Sequence, residues 1–427
     1  MLDEKGDFVG FDMVIGNPPY FNIDSFGGGS AMLKYLPQAY PKIYMDKSDI
    51  LFYFLAKATQ ISKGQTAFII SNAMLFSDKA QKLRNHILEN NPIHKIINFE
   101  KYQVFDEASI TAMMLFLEKS PSLHVKVQNY TQTQYEKNWL VDELDKKEAY
   151  FNVMLEPNSV FALVDESIAM LNRKIDNDYP KLGDVLKVGK GMETAANEVF
   201  SFDEMPLEFE GEYLKKRMSG EIIEKYTHKE ALEYLLYFED AKSYEDLSEP
   251  LQGYLQSHRT KLEERATVKN EGRAWWRYSR PMHKEFYYLP KIWCSYRAKE
   301  NTFCLDESSE YIGFTNTTVI FATHTTLALK YVLALLNSKV LNFRYKSIGK
   351  QTGSGVFEYF ENQISKLPIP NISAEDQQPF ITLVDKILTC KALNPKAETL
   401  ELEKEIDTLV YALYGLNDEE IAIVEGR

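Results

Sequence analysis

Four consecutive residues near the start of the chain, Asn17-Pro18-Pro19-Tyr20, combine groups that could hold a planar amine. An exocyclic amine such as the N6 of adenine is a poor nucleophile, because its lone pair is delocalised into the ring. The side-chain oxygen of Asn17 and the backbone carbonyl of Pro18 could accept its two N–H groups. Such acceptors would favour loss of conjugation and fix the direction of attack on a methyl sulfonium. The two prolines fix φ at about −65° and hold those oxygens in place, and the Tyr20 ring offers a face for stacking a base.

The elements around these residues predict where they lie in a fold. The preceding segment FVGFDMVIG reads as a buried strand, and SDILFYFLAKATQISKG as a helix with Ser48 as N-cap and Gly64 as its end. A strand (TAFIISNAMLF), a helix (DKAQKLRNHILENN) and two further strands (KIINF and ITAMMLFLEK) follow. This alternation predicts a doubly wound α/β sheet, whose ligands bind at the carboxyl ends of the strands. Asn17 to Tyr20 would lie at that edge.

The rest of the chain has a different pattern. Residues 121–180 are predicted to form a polar connector with a helical piece around SVFALVDESIAMLNRKI. Residues 181–427 contain short strands around glycine turns, a helical stretch over 229–268, strands at PKIWCSYR, NTFCL and NTTVIFAT, a helix at TLALKYVLALLNSKVLNFRYK and a C-terminal helical tail. This mixture predicts a second domain of the α+β class.

Composition limits the function classes. No apolar run approaches the roughly 18 residues that a membrane helix needs, and the acidic N-terminus is unlike a signal peptide, which predicts a cytoplasmic protein. Three cysteines without paired spacing predict reduced thiols, and the seven scattered histidines predict no metal site. The net charge of −13 argues against a nucleic-acid partner. However, HRTKLEERATVKNEGRAWWRYSRPMHK and FRYKSIGK are basic islands that could line one groove.

The order of motifs resembles that of the γ-class amino methyltransferases, and specifically the N6-adenine DNA methyltransferase part of type IIG restriction–modification enzymes. FDMVIGNPPY resembles motif IV, SDILFYFLAKA motif V, AFIISNAMLF motif VI and KYQVFDEASITAMMLFLEK motif VIII. VGKGMETAANEVF, PKIWCSYRAKENTFCL and LLNSKVLNFRYKSIGKQTGSGVFEYF resemble that family's target-recognition domain. The resemblance covers nearly the whole chain.

The resemblance implies a site-specific adenine-N6 DNA methyltransferase with a partial Rossmann-like catalytic domain in residues 1–120 and a target-recognition domain in residues 181–427. It implies S-adenosylmethionine as cofactor and double-stranded DNA as partner. Phe54 and Asp49 would contact the cofactor, while Tyr20 and Phe105 would hold the flipped adenine. Residues expected to face DNA, from the basic islands and the glycine-containing loops, are Lys190, Thr194, Arg273, Arg277, Arg280, Arg297, Arg344, Lys346 and Lys350. The neighbouring Trp275 and Trp276 are expected to pack in the core.

One part of the family pattern is not found. The family's glycine-rich cofactor motif stands upstream of NPPY, but only sixteen residues precede Asn17. FGGGS, GKGME and KQTGSG do not lie between a buried strand and a helix, as that fingerprint requires, and no convincing nuclease motif is present. The chain is therefore expected to be the C-terminal part of a larger enzyme, inactive alone, that works with an upstream methyltransferase or nuclease segment in cis or in trans. The apolar edge of FDMVIG is expected to be covered by another chain, by a rearranged segment or by disorder of residues 1–10.

Two alternatives stay open. Methylation of a protein glutamine amide could use the same two acceptors, but the long aromatic and basic C-terminal half disfavours it. Without the cofactor motif, the chain could instead be a non-catalytic fragment that only recognises DNA or binds a complementing subunit. The sequence does not specify which DNA sequence is read.

Overall fold

The computed structural model describes residues 2–90, 92–100, 102–105, 110–119, 124–130, 150–209, 213–323, 325–352 and 355–427. The chain divides into two compact units. The first comprises Met1–Asn172 and Lys346–Phe357, and the second comprises Arg173–Tyr345 and Glu358–Arg427. The sequence-based division at residues 120 and 180 therefore differs from the compact units.

The first unit is built on a six-stranded mixed sheet in the order β1-β2-β4-β3-β5-β6. Strands β1, β2, β3 and β5 run parallel, while β4 and β6 are antiparallel to their neighbours, so four carboxyl ends meet at one edge. The predicted α/β class is confirmed, but the expected connector contributes the last two strands. The strands are β1 (Phe11–Gly16), β2 (Ser62–Ser71), β3 (Ile93–Asn98), β4 (Ala112–Glu118), β5 (Val125–Asn129) and β6 (Phe151–Val153). The helices up to residue 176 are α1 (Ala31–Ala39), α2 (Leu51–Ile61), α3 (Ala73–Phe76), α4 (Gln81–Asn90) and α5 (Glu166–Asp176).

A close approach between backbones holds β1 against β2. The register between these strands shifts after Phe11, and a Cβ built at Gly64 would lie only 2.2 Å from the carbonyl oxygen of Asp12. No other residue fits this position without moving β1. Gly64 thus lies inside β2 and does not end helix α2, as the sequence had predicted.

Helix α2 packs its apolar face into the core of the first unit. Leu51, Phe52 and Leu55 are almost fully buried, together with sheet residues such as Ile70 and Leu115. Each such side chain contributes about 1.5–3 kcal/mol through burial. The N-cap residue is Ile50, not Ser48 as predicted, because the Ser48 hydroxyl bonds to the Tyr53 hydroxyl at 2.9 Å inside the core.

Strand β1 forms an edge of this sheet and is exposed. It pairs with β2 only, among the residues that the structure describes, and its residues Phe11, Met13 and Ile15 are 36%, 53% and 72% exposed. Residues 2–9 are exposed as well, and the Phe8 ring meets the Phe11 ring edge to face with their centroids 5.4 Å apart. The prediction that this strand is buried is therefore wrong, whereas the nature of its cover stays a prediction.

The second unit has two four-stranded sheets, in the orders β13-β11-β15-β7 and β14-β9-β10-β8. Its core is rich in aromatic residues, including Trp276 as predicted. The strands from residue 187 onward are β7 (Lys187–Lys190), β8 (Ser201–Phe202), β9 (Leu214–Met218), β10 (Tyr234–Leu236), β11 (Lys291–Ser295), β12 (Arg297–Ala298), β13 (Phe303–Asp306), β14 (Tyr311–Gly313), β15 (Thr317–Phe321), β16 (Lys350–Thr352) and β17 (Val356–Glu358).

The helices of this part of the chain differ from the predictions in two places. Residues 229–268 were expected to be helical, but they contain strand β10, and the first α-helix in this range begins at Glu249. The expected single helix over TLALKYVLALLNSKVLNFRYK is broken at Ser338, whose backbone is extended and whose hydroxyl donates to the Leu335 carbonyl. The helices are α6 (Leu182–Val185), α7 (Asn197–Phe200), α8 (Glu249–Ser257), α9 (Arg259–Glu263), α10 (Ala266–Glu271), α11 (Leu329–Asn337), α12 (Lys339–Ile348), α13 (Glu361–Ile364), α14 (Ala374–Leu393), α15 (Leu400–Leu413) and α16 (Asp418–Glu425).

Within the described ranges, no helix combines the length and the apolar composition needed to cross a bilayer.

Candidate active site and recognition residues

The predicted amine-binding residues lie at the carboxyl edge of the sheet in the first unit. Asn17 follows β1 directly and is exposed, Pro18 is buried, Pro19 is exposed and Tyr20 is half-buried. The buried Pro18 ring anchors the turn, while Asn17 remains open to solvent. The sequence predicted this placement, since a strand that ends in a stiff turn delivers the turn residues to the sheet edge.

The hydroxyl of Tyr20 links the turn to the neighbouring strand. It donates to the carbonyl oxygen of Ile69 in β2 at 2.7 Å and also contacts the side-chain oxygen of Asn17. A hydroxyl carries one proton, so it cannot donate to both oxygens. Both contacts are satisfied if the Asn17 amide rotates by half a turn and its NH2 group donates to the Tyr20 oxygen. The Asn17 oxygen would then face away from Tyr20, free to accept a hydrogen bond from a substrate amine.

Tyr20 remains a donor at neutral pH. Burial raises the pKa of its hydroxyl, and the negative charge of Asp49 raises it further.

Replacing Tyr20 with phenylalanine should therefore lower kcat while leaving DNA affinity nearly unchanged. The ring and its stacking face remain, but the hydrogen bond that orients Asn17 is lost, which costs about 0.5–1.5 kcal/mol, or up to about tenfold in rate. Steady-state methylation kinetics separate kcat from KM. Tyr20→Ala is the comparison, since it removes the stacking face as well and should raise KM too. Equal effects of the two substitutions on kcat and KM would contradict a separate role for the hydroxyl.

Phe105 and Tyr20 are both connected to Ile69 of β2. Phe105 is half-buried and packs on a small apolar cluster around Phe99 and Tyr130, and that cluster also includes the side chain of Ile69. The Ile69 carbonyl is the acceptor for Tyr20, so one residue of β2 contacts both the tyrosine and the cluster that supports Phe105. Residues 106–109, the part of KYQVFDEASITAMMLFLEK that follows Phe105, lie outside the described residues.

Three asparagines connect the carboxyl ends of β2, β3 and β5 behind this site. The Asn72 side chain donates to the Asn98 side-chain oxygen at 3.4 Å, and Asn98 donates to the Asn129 oxygen at 3.2 Å. Asn129 in turn donates to the carbonyl of Leu163 at 3.2 Å. Sequence analysis missed this chain of hydrogen bonds, although each asparagine stands at the end of a predicted or observed strand.

A buried arginine fixes the short helix α3 after β2, and sequence analysis missed this residue. Arg84 of α4 is 2% exposed and donates to the carbonyls of Met74, Ser77 and Ser159 at 2.8–2.9 Å. Burial lowers its pKa to about 10, so it stays charged at neutral pH. The carbonyls of Met74 and Ser77 on this guanidinium hold α3 and the loop residue after it in one arrangement, and the Ser159 carbonyl completes its set of acceptors.

The two residues predicted to contact the cofactor do not share one cavity. Phe54 is 46% exposed on α2, where its ring could stack on a purine. Asp49 is half-buried, and its Oδ1 accepts from the backbone N–H of Leu51 at 2.9 Å. Burial raises the pKa of Asp49, opposed by backbone hydrogen bonds from Leu51 and Phe21. Asp49 lines a cavity of about 190 Å³ to which Phe54 does not contribute.

Several residues predicted to face DNA are instead held inside the second unit. Thr194 is 1% exposed, and its hydroxyl bonds to the side chain of Asn197 while its carbonyl accepts from Arg265 at 2.7 Å. Arg344 makes two 2.9 Å hydrogen bonds to the carboxylate of Asp176. The side chains of Thr194 and Arg344 therefore have hydrogen-bond partners inside the unit, which differs from the predicted contact with DNA.

Arg273 and Arg277 converge on a buried carboxylate. Glu239 is 1% exposed and accepts from Arg273 at 2.7 Å, from Arg277 at 3.4 Å and from the backbone N–H of Tyr278 at 2.7 Å. Arg277 also lies over the ring of Trp276, with its guanidinium carbon 4.2 Å from the ring centre. Both arginines thus share one carboxylate inside the unit, which balances one of their two positive charges, and their contact with DNA stays a prediction.

The remaining predicted cations are more accessible. Arg280 pairs with Glu271 at 2.7 Å, and both side chains are about half exposed. Arg297 is 62% exposed and donates to Glu358 at 2.8 Å. Lys190 in β7 is half-buried. Lys346 is exposed and Lys350 half-buried, and both fall in the first compact unit, not in the expected recognition domain.

Two family models match separate parts of the chain. Residues 2–105 match the Eco57I restriction-modification methylase family, and residues 218–369 match the TaqI-like C-terminal specificity domain. The first match contains Asn17 to Tyr20 and Phe105. The second contains strands β10 to β17.

Individual relatives are similar over most of the chain. The type II methyltransferase M.BanIII of Aneurinibacillus aneurinilyticus is 23% identical, covering 97% of this chain and 78% of that protein. The type II restriction enzyme and methyltransferase RM.Eco57I of Escherichia coli is 24% identical, covering 86% of this chain but 41% of that protein.

Among solved structures, the type IIL restriction-modification enzyme MmeI in complex with DNA has a similar fold. Its TM-score is 0.69 at 11% sequence identity, over 96% of this chain and 55% of that one. The chain thus spans little more than half the length of this structural relative. Its first part is thus similar to the Eco57I restriction-modification methylases and its later part to the TaqI-like C-terminal specificity domain.

Proposed function

We propose that this chain is part of a sequence-specific DNA methyltransferase that methylates the N6 amine of a flipped adenine. The observation that carries the proposal is the turn Asn17 to Tyr20, which lies at the carboxyl edge of an α/β sheet and is tied to β2 by the Tyr20 hydroxyl. An open amide, a fixed carbonyl and two aromatic rings are the groups that a planar amine and its purine require. The match of residues 2–105 to restriction-modification methylases supports this reading.

Each of these residues would have a separate role in methyl transfer. Tyr20 and Phe105 hold the extruded base, and stacking worth about 1–3 kcal/mol offsets part of the flipping cost of a few kcal/mol. The side-chain oxygen of Asn17 and the carbonyl of Pro18 accept the two amine hydrogens, which localises the lone pair for attack. S-adenosylmethionine would supply the methyl group, with Phe54 stacking on its purine. The amine nitrogen would gain the methyl as the bond between that methyl and the sulfonium sulfur breaks, leaving S-adenosylhomocysteine, and would release one proton to solvent. No cysteine nucleophile is needed.

Sequence specificity would come from the second unit. Its match to the TaqI-like specificity domain and the DNA-bound state of the similarly folded MmeI support DNA as the substrate. Arg280, Arg297 and Lys190 are the proposed contacts from this unit. A specificity domain of this kind argues against glutamine methylation, because a release factor offers no DNA sequence to read.

The test is a product analysis. DNA is incubated with S-adenosylmethionine and the chain, expressed together with a polypeptide that completes its methylase domain, and is then digested to nucleosides for mass spectrometry. We expect N6-methyladenine. N4-methylcytosine, or methyl transfer to a release factor but not to DNA, would reject the adenine assignment.

We also propose that the chain alone is inactive and that β1 pairs with a strand from a further segment, supplied in cis or in trans. The exposed side chains of Met13 and Ile15 and the free edge of β1 support this, because an apolar edge strand is usually covered. By calorimetry, the chain alone should bind S-adenosylmethionine weakly or not at all. Micromolar affinity of the isolated chain would contradict the proposal.

Replacing Ile15 with lysine should block assembly with that segment. A lysine on an apolar interface strand must be desolvated on pairing, which costs several kcal/mol, whereas on the free, exposed edge it should change folding stability by less than about 0.5 kcal/mol. Size-exclusion chromatography of the two co-expressed polypeptides measures the assembly. Leu2→Lys is the control, since Leu2 is similarly exposed but lies outside the strand. Unchanged assembly of the Ile15 variant would argue against pairing at this edge.

A further inference from the structure

A cavity that the amine-binding turn does not use lies beside it in the first unit. Its volume is about 190 Å³, and its polar lining comes from Asn22, Lys47, Asp49, Ser71, Ser77 and Lys79. The volume is below the roughly 300 Å³ at which pockets for drug-sized ligands begin, so a small group fits it better than a whole cofactor.

The cavity adjoins the base site on two sides. Asn22 follows Tyr20 by two residues, and Ser71 follows Ile69, the acceptor of the Tyr20 hydroxyl, by two residues. Asn22 also forms an antiparallel β-bridge with Asp49, so the segment that follows Tyr20 is paired with the wall of the cavity that carries Asp49. A ligand of the cavity would therefore lie close to a base held by Tyr20.

Both walls of the cavity are fixed by hydrogen bonds. The side chain of Asn22 donates to the Lys47 carbonyl at 3.0 Å, and the backbone N–H of Ile50 donates to the Phe21 carbonyl at 3.0 Å. Lys47 itself has a left-handed backbone, with φ of 56°. The opposite wall is the segment of α3 and Ser77 that Arg84 holds through the Met74 and Ser77 carbonyls. Walls that are already held in place by hydrogen bonds can bind a small ligand without first having to become ordered.

The charge of the lining favours an anion. Lys47 and Lys79 are exposed and form no ion pair within the part of the chain that the structure describes, whereas Asp49 is the single carboxylate of the lining. The two ammonium groups carry more positive charge than the one carboxylate carries negative charge, and Ser71 and Ser77 add two hydroxyl groups that can donate hydrogen bonds. Burial also raises the pKa of the Asp49 carboxyl.

We propose that this cavity binds a backbone phosphodiester of the target DNA strand next to the flipped nucleotide, with Lys47 and Lys79 as its cationic ligands. Flipping rotates the sugar-phosphate backbone about the target base, so a phosphate held beside Tyr20 would stabilise the extruded state. The inference rests on the proposed function and identifies one backbone contact within it.

The test compares the parent chain with the double variant Lys47→Gln/Lys79→Gln. Binding of a fluorescent 40-base-pair DNA is measured by anisotropy across a series of salt concentrations. Each lost phosphate-binding lysine lowers the slope of log Kd against log salt by about one, so we expect a fall of roughly one to two and a loss of about tenfold in affinity near physiological salt. Both lysines are exposed, so thermal unfolding should be unchanged.

Lys119→Gln is the matched control. Lys119 is also exposed and lies just after β4, whose antiparallel direction places it at the opposite edge of the sheet. Its substitution should leave the slope as in the parent. A double variant with the parent's slope and affinity would overturn the phosphate site. Failure of the parent itself to bind DNA would reject the proposed function instead.

Discussion

Replacing Asn17 with alanine should lower kcat for DNA methylation by about 10²–10³-fold, the range found when one preorganised polar group is removed from a transition-state site. The loss falls on kcat because the amine develops positive charge only as it attacks, so an acceptor on its hydrogen gains most in the transition state. The base itself is held mainly by stacking on Tyr20 and Phe105, which the substitution leaves in place. Transfer of tritium from labelled S-adenosylmethionine to DNA, by the assembled methylase, measures the effect.

Two further substitutions sharpen this result. Asn17→Asp retains an oxygen acceptor but loses the NH2 group that can donate to Tyr20, so its activity should fall between those of the parent and Asn17→Ala. Asn90→Ala is the control, since Asn90 ends α4 just before β3 begins and thus lies at the opposite edge of the sheet. An alanine variant at Asn17 with near-parent kcat would remove the amide from the mechanism.

The amine-binding turn was predictable because its information is local. A short apolar strand, two prolines and an aromatic ring stand next to each other in the sequence, and their geometry depends on few distant contacts. The recognition cations are different. Arg277 meets Glu239 across 38 residues, and Arg344 meets Asp176 across 168 residues. A basic segment of the sequence reveals positive charge. It does not reveal which of its lysines and arginines pair with acidic residues inside the fold, so those partners could not be predicted.

The sheet was predicted in part for a similar reason. β2 and β3 have apolar runs that a local pattern reveals, but strand direction does not follow from such a pattern, so the antiparallel β4 could not be anticipated. β5 and β6 are five and three residues long and carry polar residues such as Lys126 and Asn152. They become strands because β3 offers a partner edge to β5 and β5 offers one to β6. Likewise, the apolar period continues through Ser338, where the structure divides one predicted helix into two.

Glu239→Ala should destabilise the second unit by about 3–5 kcal/mol, the cost of breaking a buried ion pair by removing one partner. Arg273 and Arg277 would keep their charges without the carboxylate, and the backbone N–H of Tyr278 would lose its acceptor. Urea unfolding followed by tryptophan fluorescence reports this loss directly, because Trp275 and Trp276 lie in the same segment as both arginines.

The exposed pair between Arg280 and Glu271 provides the internal control. Its N–O distance of 2.7 Å equals that between Arg273 and Glu239, but both of its side chains are about half exposed, so Glu271→Ala should cost no more than about 1 kcal/mol. Glu239→Gln should lie between the two, since it keeps an acceptor for Tyr278 and loses only the charge. Equal destabilisation by Glu239→Ala and Glu271→Ala would mean that water reaches Glu239. The two arginines would then be available to DNA, as the sequence had predicted.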